Sequence, residues 1–164
     1  MPIIDVTKDP DNRTLRMTAH FNAPVARVWQ VYADPRQLEK IWGPPTYPAT
    51  FVRHELYPGG TMHYFMTSPE GDKFGGFWDI TSVDEEKAFE FEDGFALNAE
   101  DFARNLDLPV SKNEYRFIPD GDGTRAEYTA VYASEEGLAQ VLEMGMIEGA
   151  TSAINQIDEL LADD

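Results

Sequence analysis

His54 is the side chain best suited to chemistry in this sequence, which contains three histidines and no cysteine. The lack of cysteine excludes disulfides, thiolate metal sites and thiol nucleophiles. Alternate residues of a strand share a face, so His54 is expected to point inward with Val52 and Leu56. A neutral imidazole beside an apolar pocket can orient a carbonyl or hydroxyl group, or transfer a proton. The alternative is a core histidine bonded to a backbone group, which makes His54 a weak catalytic candidate.

Other chemical motifs give little support for an enzyme. The sequence has no phosphate loop, dinucleotide fingerprint, paired-histidine metal motif or serine elbow, so we predict no cofactor and no metal. The acidic stretch 120–123 resembles the start of a calcium loop, but its twelfth position is Val131 rather than a glutamate. A hairpin turn is therefore predicted there.

The charge balance restricts the partners. Thirty acidic and thirteen basic residues give a formal charge of −17, which repels nucleic acid and anionic lipid. No apolar run approaches the roughly 18 residues of a membrane span, and the first residues lack the basic and apolar regions of a secretory signal. We expect one domain over residues 1–164, a cytoplasmic location, no nucleic acid partner and no membrane span.

Hydrophobic periodicity predicts the order of the elements. Apolar and polar residues alternate over 15–21, as in a strand with one buried face. Pro24 and Asp34-Pro35 then begin two short helices, because proline fits the first helical turn and aspartate caps it. Closely spaced strands and turn signals over 50–133 predict an antiparallel meander.

The last predicted element is a helix from Ser134 to Ala162. Gly145, Gly149 and Ala153 lie at positions i, i+4 and i+8 of this helix and form a stripe with almost no side chain. Each interior glycine costs about 1 kcal/mol relative to alanine, so the stripe requires an explanation. Either a neighbouring backbone approaches closely there, or the helix leaves room for a ligand.

Several short strings occur in a fixed order over nearly the whole chain. They are Ala23-Pro24-Val25, Val28-Trp29, Asp34-Pro35, Trp42-Gly43-Pro44, the stretch from His54 to Gly60, the stretch from Gly75 to Ile80, Asp93-Gly94-Phe95, Gly145-Met146, Glu148-Gly149 and Gln156-Ile157-Asp158. With the order of elements, this set resembles the START-like, helix-grip superfamily (SRPBCC), in the branch named after the activator of the heat-shock protein ATPase.

The resemblance implies an α+β, helix-grip (START-like) fold. In that fold a curved antiparallel β-sheet of about six to seven strands wraps on a long C-terminal α-helix, with two short helices after the first strand. It also implies an apolar cavity between sheet and helix. Members of the superfamily bind lipids, sterols, polyketides or other hydrophobic molecules, and a minority are cyclases, aromatases or hydrolases.

Strand parity then selects candidate cavity residues. If the turn near Gly71 closes a hairpin, Tyr64 lies opposite Gly76 and Met62 opposite Trp78, and a glycine opposite a tyrosine leaves room over the sheet. The predicted ligand-binding residues are Trp42, His54, Met62, Tyr64, Met66, Gly76, Trp78, Phe89, Phe91, Phe95, Phe102, Met144, Met146 and Gly149, with Trp42, Phe95 and Phe102 at the entrance. The alternative is that the aromatic members simply form the core.

Three functional hypotheses follow. The first is a binding module for a small hydrophobic molecule, aromatic or like a polyketide or lipid. The second is a cyclase-, aromatase- or hydrolase-like enzyme that uses the same cavity, with His54 and a nearby tyrosine or acid. The third is a co-chaperone-like interaction domain that uses Phe65 and Phe77 as an outward patch, a patch that would equally serve a homodimer.

Overall fold

The computed structural model describes residues 2–163 and contains eight strands and four α-helices over that range. The strands are β1 (Ile3–Asp9), β2 (Thr14–Phe21), β3 (Ala49–Arg53), β4 (Thr61–Thr67), β5 (Lys73–Asp84), β6 (Ala88–Phe95), β7 (Ser111–Asp120) and β8 (Gly123–Tyr132). The helices are α1 (Val25–Ala33), α2 (Pro35–Ile41), α3 (Glu135–Glu143) and α4 (Met146–Ala162), and a short 3-10 helix spans Pro10–Asn12.

All eight strands form one antiparallel sheet in the order β1-β2-β8-β7-β6-β5-β4-β3. The α+β class and the antiparallel meander are confirmed, but the sheet has one strand more than the predicted six to seven. The additional strand is β1, which lies at the edge with five of its seven residues exposed. Because β1 buries almost nothing, its sequence carries no alternating pattern that would reveal it.

Strand pairing follows the predicted register in the central hairpin. Met62 pairs with Trp78 and Tyr64 with Gly76. The predicted turn at 120–123 is also a hairpin, in which Asp120 pairs with Gly123. Gly121 has a φ of +61°, a conformation that suits a two-residue hairpin connection.

Two short helices cover the inner face of the sheet. The Asp34 carboxylate caps α2 by accepting a hydrogen bond from the Arg36 backbone N–H at 2.9 Å, as the Asp34-Pro35 sequence predicts. Helix α1 buries Trp29 and Tyr32 against the sheet, and α2 buries Leu38 and Ile41.

The C-terminal segment is two helices rather than one. Helix α3 ends at Glu143, and α4 begins at Met146 after Gly145, whose φ is +88°. That left-handed conformation costs an L-residue roughly 1–2 kcal/mol and costs glycine little. Gly145 therefore separates the two helices, and of the two glycines in the predicted stripe only Gly149 lies inside a helix.

Helix α4 is anchored mainly to α2 and to the hydrophobic core. Ile154 and Ile157 are buried, and the Gln156 side-chain amide donates to the carbonyls of Ile41 at 3.2 Å and Gly43 at 2.7 Å. These bonds satisfy carbonyl groups at the end of α2 that have no partner within that helix. Among residues 2–163 no helix is long and apolar enough to cross a membrane.

The outer face of the sheet is covered near β4 and β5, which contradicts two expectations. Phe77 is 2% exposed, and the Arg104 guanidinium lies 3.7 Å from the centre of its ring. Phe102, predicted at the cavity entrance, is instead buried on this outer face and stacks on His63 with 4.6 Å between ring centroids. The loop over residues 96–110 therefore covers Phe77, which is not an exposed interaction residue, and the predicted patch of Phe65 and Phe77 is not formed.

Candidate ligand-binding cavity

A cavity of about 540 Å³ lies between the sheet and the helix pair α3–α4. Five strands contribute to its wall: β2, β4, β6, β7 and β8. The end of α2 and the following residues, Trp42 to Pro44, close one side, and residues of α3 and α4 lie opposite the sheet. A space of this size falls within the range of ordinary small-molecule sites.

Seven of the fourteen predicted residues line this cavity. They are Trp42, Tyr64, Met66, Phe95, Met144, Met146 and Gly149. The other seven lie elsewhere: Met62, Gly76, Trp78, Phe89 and Phe91 pack within the sheet and core, and His54 and Phe102 lie outside the cavity.

The inward aromatics of β5 and β6 pack against one another and leave no room for a ligand. Trp78, Phe89 and Phe91 are at most 1% exposed, and the Trp78 and Phe91 rings stack with centroids 4.3 Å apart. Phe89 also meets Trp29 edge-on, with 5.8 Å between centroids. This part of the molecule is a packed core, so the core interpretation was the better one for these residues.

Gly76 does not open space over the sheet. A Cβ atom at this position would overlap the Tyr64 ring, which lies directly over the glycine. Tyr64 in turn stacks on Phe51, with 5.0 Å between centroids. The prediction of a gap was wrong because the absent side chain is replaced by the aromatic ring of its cross-strand neighbour.

His54 lies beside a separate, smaller pocket with Trp29, Ala33 and Leu56. Its Nε2 atom is 2.8 Å from the Tyr32 backbone oxygen, which is the partner expected of a core histidine. The expected alternation fails at Val52, which is 56% exposed, whereas Phe51 is buried. His54 and Leu56 do lie together at this smaller pocket, and the register of β3 against β4 shifts between Phe51 and Arg53.

Asp93 is a carboxyl group on the cavity wall that the site prediction missed. It follows Phe89 and Phe91 on the inward face of β6 and pairs with Ser111 of β7. Alternate residues of a strand share a face, so Asp93 points to the same side of β6 as Phe89 and Phe91. A carboxylate on the same face as these aromatic residues was the signal in the sequence that could have identified it.

The environment of Asp93 favours its neutral form. Burial raises the pKa of the carboxyl to about 7, and a hydrogen bond from the Gly94 backbone N–H acts in the opposite direction. The residue retains some accessible surface although its carboxyl is deep in the fold, because it lines the cavity. Among the described residues it forms no ion pair.

Hydroxyl and amide groups from α1, β7 and β8 line the same cavity as Asp93. The Tyr32 and Tyr128 hydroxyl oxygens are 3.0 Å apart, and the Asn113 side-chain amide donates to Ser111 Oγ at 2.9 Å. Burial raises the pKa of Tyr115 well above its usual value and that of Tyr132 to about 12. These phenols therefore remain neutral hydrogen-bonding groups at physiological pH.

The small-residue stripe of α4 lies at the cavity, with Gly149 and Ala153 both on its wall. A Cβ atom at Gly149 would meet no other atom within 4 Å, which excludes close packing of a neighbouring backbone at this position. Gly149 and Met144 are exposed as well as lining the cavity, so they mark its opening.

The charged side chains on this wall, within residues 2–163, are Asp93 and Glu148. In the same range no group of three or more histidine, aspartate or glutamate side chains is arranged to hold a metal ion. The cavity thus combines apolar and aromatic walls, neutral hydroxyl groups and one deep carboxyl.

Solved structures with this architecture come from several bacteria. The crystal structure of protein Ms6760 from Mycobacterium smegmatis is 61% identical, with a TM-score of 0.89 over 98% of this chain and 97% of that one. A solution structure from Arthrobacter aurescens is 41% identical, with a TM-score of 0.92 over 98% of this chain and 92% of that one. One from Staphylococcus epidermidis, at 21% identity and a TM-score of 0.84 over 98% and 94% of the two chains, shares the fold.

The comparison with curated proteins gave no match. The model of the family described as "Activator of Hsp90 ATPase homolog 1-like protein" matches residues 22–162, which include all four α-helices and the six strands β3 to β8. The predicted helix-grip architecture and the predicted branch of the superfamily are both confirmed. This chain belongs to the Activator of Hsp90 ATPase homolog 1-like protein family.

Proposed function

We propose that this protein binds a small, largely apolar molecule in the cavity between the sheet and the helices α3 and α4. Two features together carry the proposal. The cavity has a volume of about 540 Å³, and a Cβ atom added at Gly149 on its wall would meet no other atom within 4 Å. An apolar molecule gains free energy by leaving water for such a space, at roughly 25 cal/mol per Å² of buried apolar surface.

The wall chemistry supports an aromatic or otherwise flat ligand. Trp42, Tyr64 and Phe95 present rings to the cavity, and aromatic pairs contribute roughly 0.5–1.5 kcal/mol beyond burial of their area. Met66, Met144 and Met146 add flexible, polarisable side chains that adapt to different ligand shapes. The Tyr115 and Tyr132 hydroxyls are neutral groups that can hold one polar group of the ligand.

The other hypotheses have less support. The version of the enzyme hypothesis that uses His54 places the base beside a different pocket, with its Nε2 atom already near the Tyr32 carbonyl. The interaction hypothesis relied on Phe65 and Phe77, and Phe77 is covered by Arg104.

A binding experiment with a defined probe tests the proposal. Naphthylethanol, an uncharged aromatic alcohol, is titrated into the protein by calorimetry, and a broad panel of hydrophobic compounds is screened by thermal shift. We expect saturable binding that Gly149→Leu weakens about tenfold or more, because the leucine occupies ligand space.

Glu159→Leu is the matched control, because it adds the same side chain to an exposed position of α4 that does not line the cavity. Ala153→Leu, one turn after Gly149 on the same stripe, is a second blocking variant. If neither the probe nor any compound of the panel binds, or if both blocking variants bind as well as the control, the proposed function is wrong.

A further inference from the structure

Among residues 2–163, the deep carboxyl of Asp93 has no cationic partner. The charged side chains on the cavity wall, in the part of the chain that the structure describes, are Asp93 and Glu148, and both are acidic. Asp93 lies on β6 opposite Ser111, deep between the sheet and the helices, whereas Glu148 is an exposed residue of α4. An unpaired buried carboxylate is costly, and an opposite charge within about 4–6 Å removes much of that cost.

Aromatic rings surround the same position. Tyr64 from β4, Tyr115 from β7 and Tyr132 from β8 all lie close enough to Asp93 for its charge to raise the pKa of their hydroxyls. The Trp42 ring meets Tyr64 edge-on, with 5.9 Å between centroids. The faces of such rings attract cations, and the attraction increases when the site is desolvated.

On this basis we propose that the ligand of this cavity is a hydrophobic amine, whose protonated nitrogen pairs with Asp93 among the rings of Tyr64, Tyr115 and Trp42. This inference rests on the proposed function and specifies the class of its ligand. The described part of the wall offers no cation to a carboxylate or phosphate, so fatty acids and other anionic ligands are disfavoured. The overall charge of −17 also attracts cations toward the protein.

Ligand binding also changes the protonation of Asp93. In the empty cavity the raised pKa leaves this carboxyl partly neutral near pH 7, and an ammonium group beside it favours the ionised form. Tyr64, Tyr115 and Tyr132, which face Asp93, do not ionise at neutral pH, because burial raises the pKa values of their hydroxyl groups. The affinity for an amine is therefore expected to increase with pH as Asp93 loses its proton.

Three probes share one ring system and differ in charge: naphthylethylamine, naphthylethanol and naphthylacetate. Titrating each by calorimetry separates the effect of ligand charge on affinity from the effect of burying the rings. At about pH 8 we expect the amine to bind roughly tenfold more tightly than the alcohol, and the acetate to bind least. Between about pH 6 and pH 8 the affinity for the amine should rise roughly tenfold, whereas the affinity for the alcohol should not rise.

Asp93→Asn should reduce the affinity for the amine to that for the alcohol, and the affinity for the alcohol shows that the variant is folded with its cavity intact. Glu90→Gln removes the same charge from an exposed position of β6, and Glu148→Gln removes the carboxylate at the opening. Glu90→Gln should retain the full preference for the amine, and Glu148→Gln should lose less of that preference than Asp93→Asn. The pH dependence of the unmodified protein tests the inference even if Asp93→Asn does not fold.

The inference is wrong if the alcohol or the acetate binds as tightly as the amine. It is also wrong if Asp93→Asn still binds the amine more tightly than the alcohol. Equal binding of amine and alcohol, blocked by Gly149→Leu, would refute the amine and leave the proposed function in place. Binding of none of the probes, with no other hydrophobic compound bound, would refute both.

Discussion

The inner face of the sheet has two halves that differ in how they are filled. Beneath α1 and α2 the rings of Trp29, Trp78 and Phe89 pack against one another and are almost completely buried. Beneath α3 and α4 the same strands border an open cavity. One sheet therefore supports both a close-packed core and a binding cavity. The size of the side chains along each strand determines which of the two is formed.

The change occurs within single strands. Along β6 the inward residues run from Phe89 and Phe91 to Asp93, and along β7 from Phe117 through Tyr115 to Asn113. Along both strands, large apolar side chains thus give way to smaller or polar ones toward the end of the sheet that borders the cavity. Close packing provides stability in one half, and reduced side-chain volume leaves space in the other.

The largest contrast is expected from removing one ring in each half. Phe89→Ala should cost about 3–5 kcal/mol in the free energy of unfolding, because it leaves a hole in a fully buried cluster. Phe95→Ala on the same strand should cost less than about 2 kcal/mol, because Phe95 is only partly buried and already borders open space. Denaturant unfolding of both variants measures the difference, and equal losses would contradict the division into two halves.

A second prediction concerns Asp93 and pH. Because the pKa of this carboxyl is raised to about 7 in the folded protein, from 3.8 in the unfolded chain, its contribution to stability is present at low pH. That contribution is lost as pH rises toward the folded pKa. Asp93→Asn should therefore stabilise the protein above pH 7 by on the order of 2 kcal/mol, a value that allows for water in the cavity.

The measurement is the free energy of unfolding at several pH values for the unmodified protein, Asp93→Asn and the exposed control Glu90→Gln. The advantage of Asp93→Asn should shrink as pH falls below about 5, where both folded and unfolded carboxyls approach protonation. A variant that is less stable than the unmodified protein at pH 8 would show that Asp93 is stabilised in its charged form by the fold.

The smallest expected changes in stability come from substituting Gly145 and Gly149, and these two changes have opposite signs. Gly149→Ala should stabilise the protein by about 1 kcal/mol, because the residue is helical and a Cβ atom there meets nothing. Gly145→Ala should destabilise it by roughly 1 kcal/mol, because φ is +88° at this position. Thermal unfolding of the two variants provides the test, and a shift in the same direction for both would contradict the helix break.

The sequence predicted the features that depend on local periodicity or turn chemistry. The pairing of Tyr64 with Gly76, the cap at Asp34 and the hairpin at 120–123 all follow from such signals. It did not reveal β1, whose exposed residues follow no inward pattern. The break at Gly145 was also missed, because an apolar stripe continues on both sides of it and masks the change of backbone conformation.

The site was harder to predict than the fold. The alternation of residues along a strand shows which face of the sheet a side chain lies on, but not which helix or cavity lies over that face. Phe89 and Asp93 share the inward face of β6, yet one is covered by α1 and the other lines the cavity. His54 contacts the Tyr32 carbonyl of α1 and borders a smaller pocket instead of the cavity. Whether an inward residue is core or cavity depends on helix placement, which is a tertiary property.

The methionines allow the most direct test of the two halves. Met17, Met66, Met144 and Met146 line the cavity, whereas Met62 is fully buried in the packed half. With methyl-labelled methionine, addition of naphthylethylamine should shift the NMR signals of these four methyl groups and leave that of Met62 nearly unchanged. Shifts that are absent, or that are largest at Met62, would contradict a ligand site beneath α3 and α4.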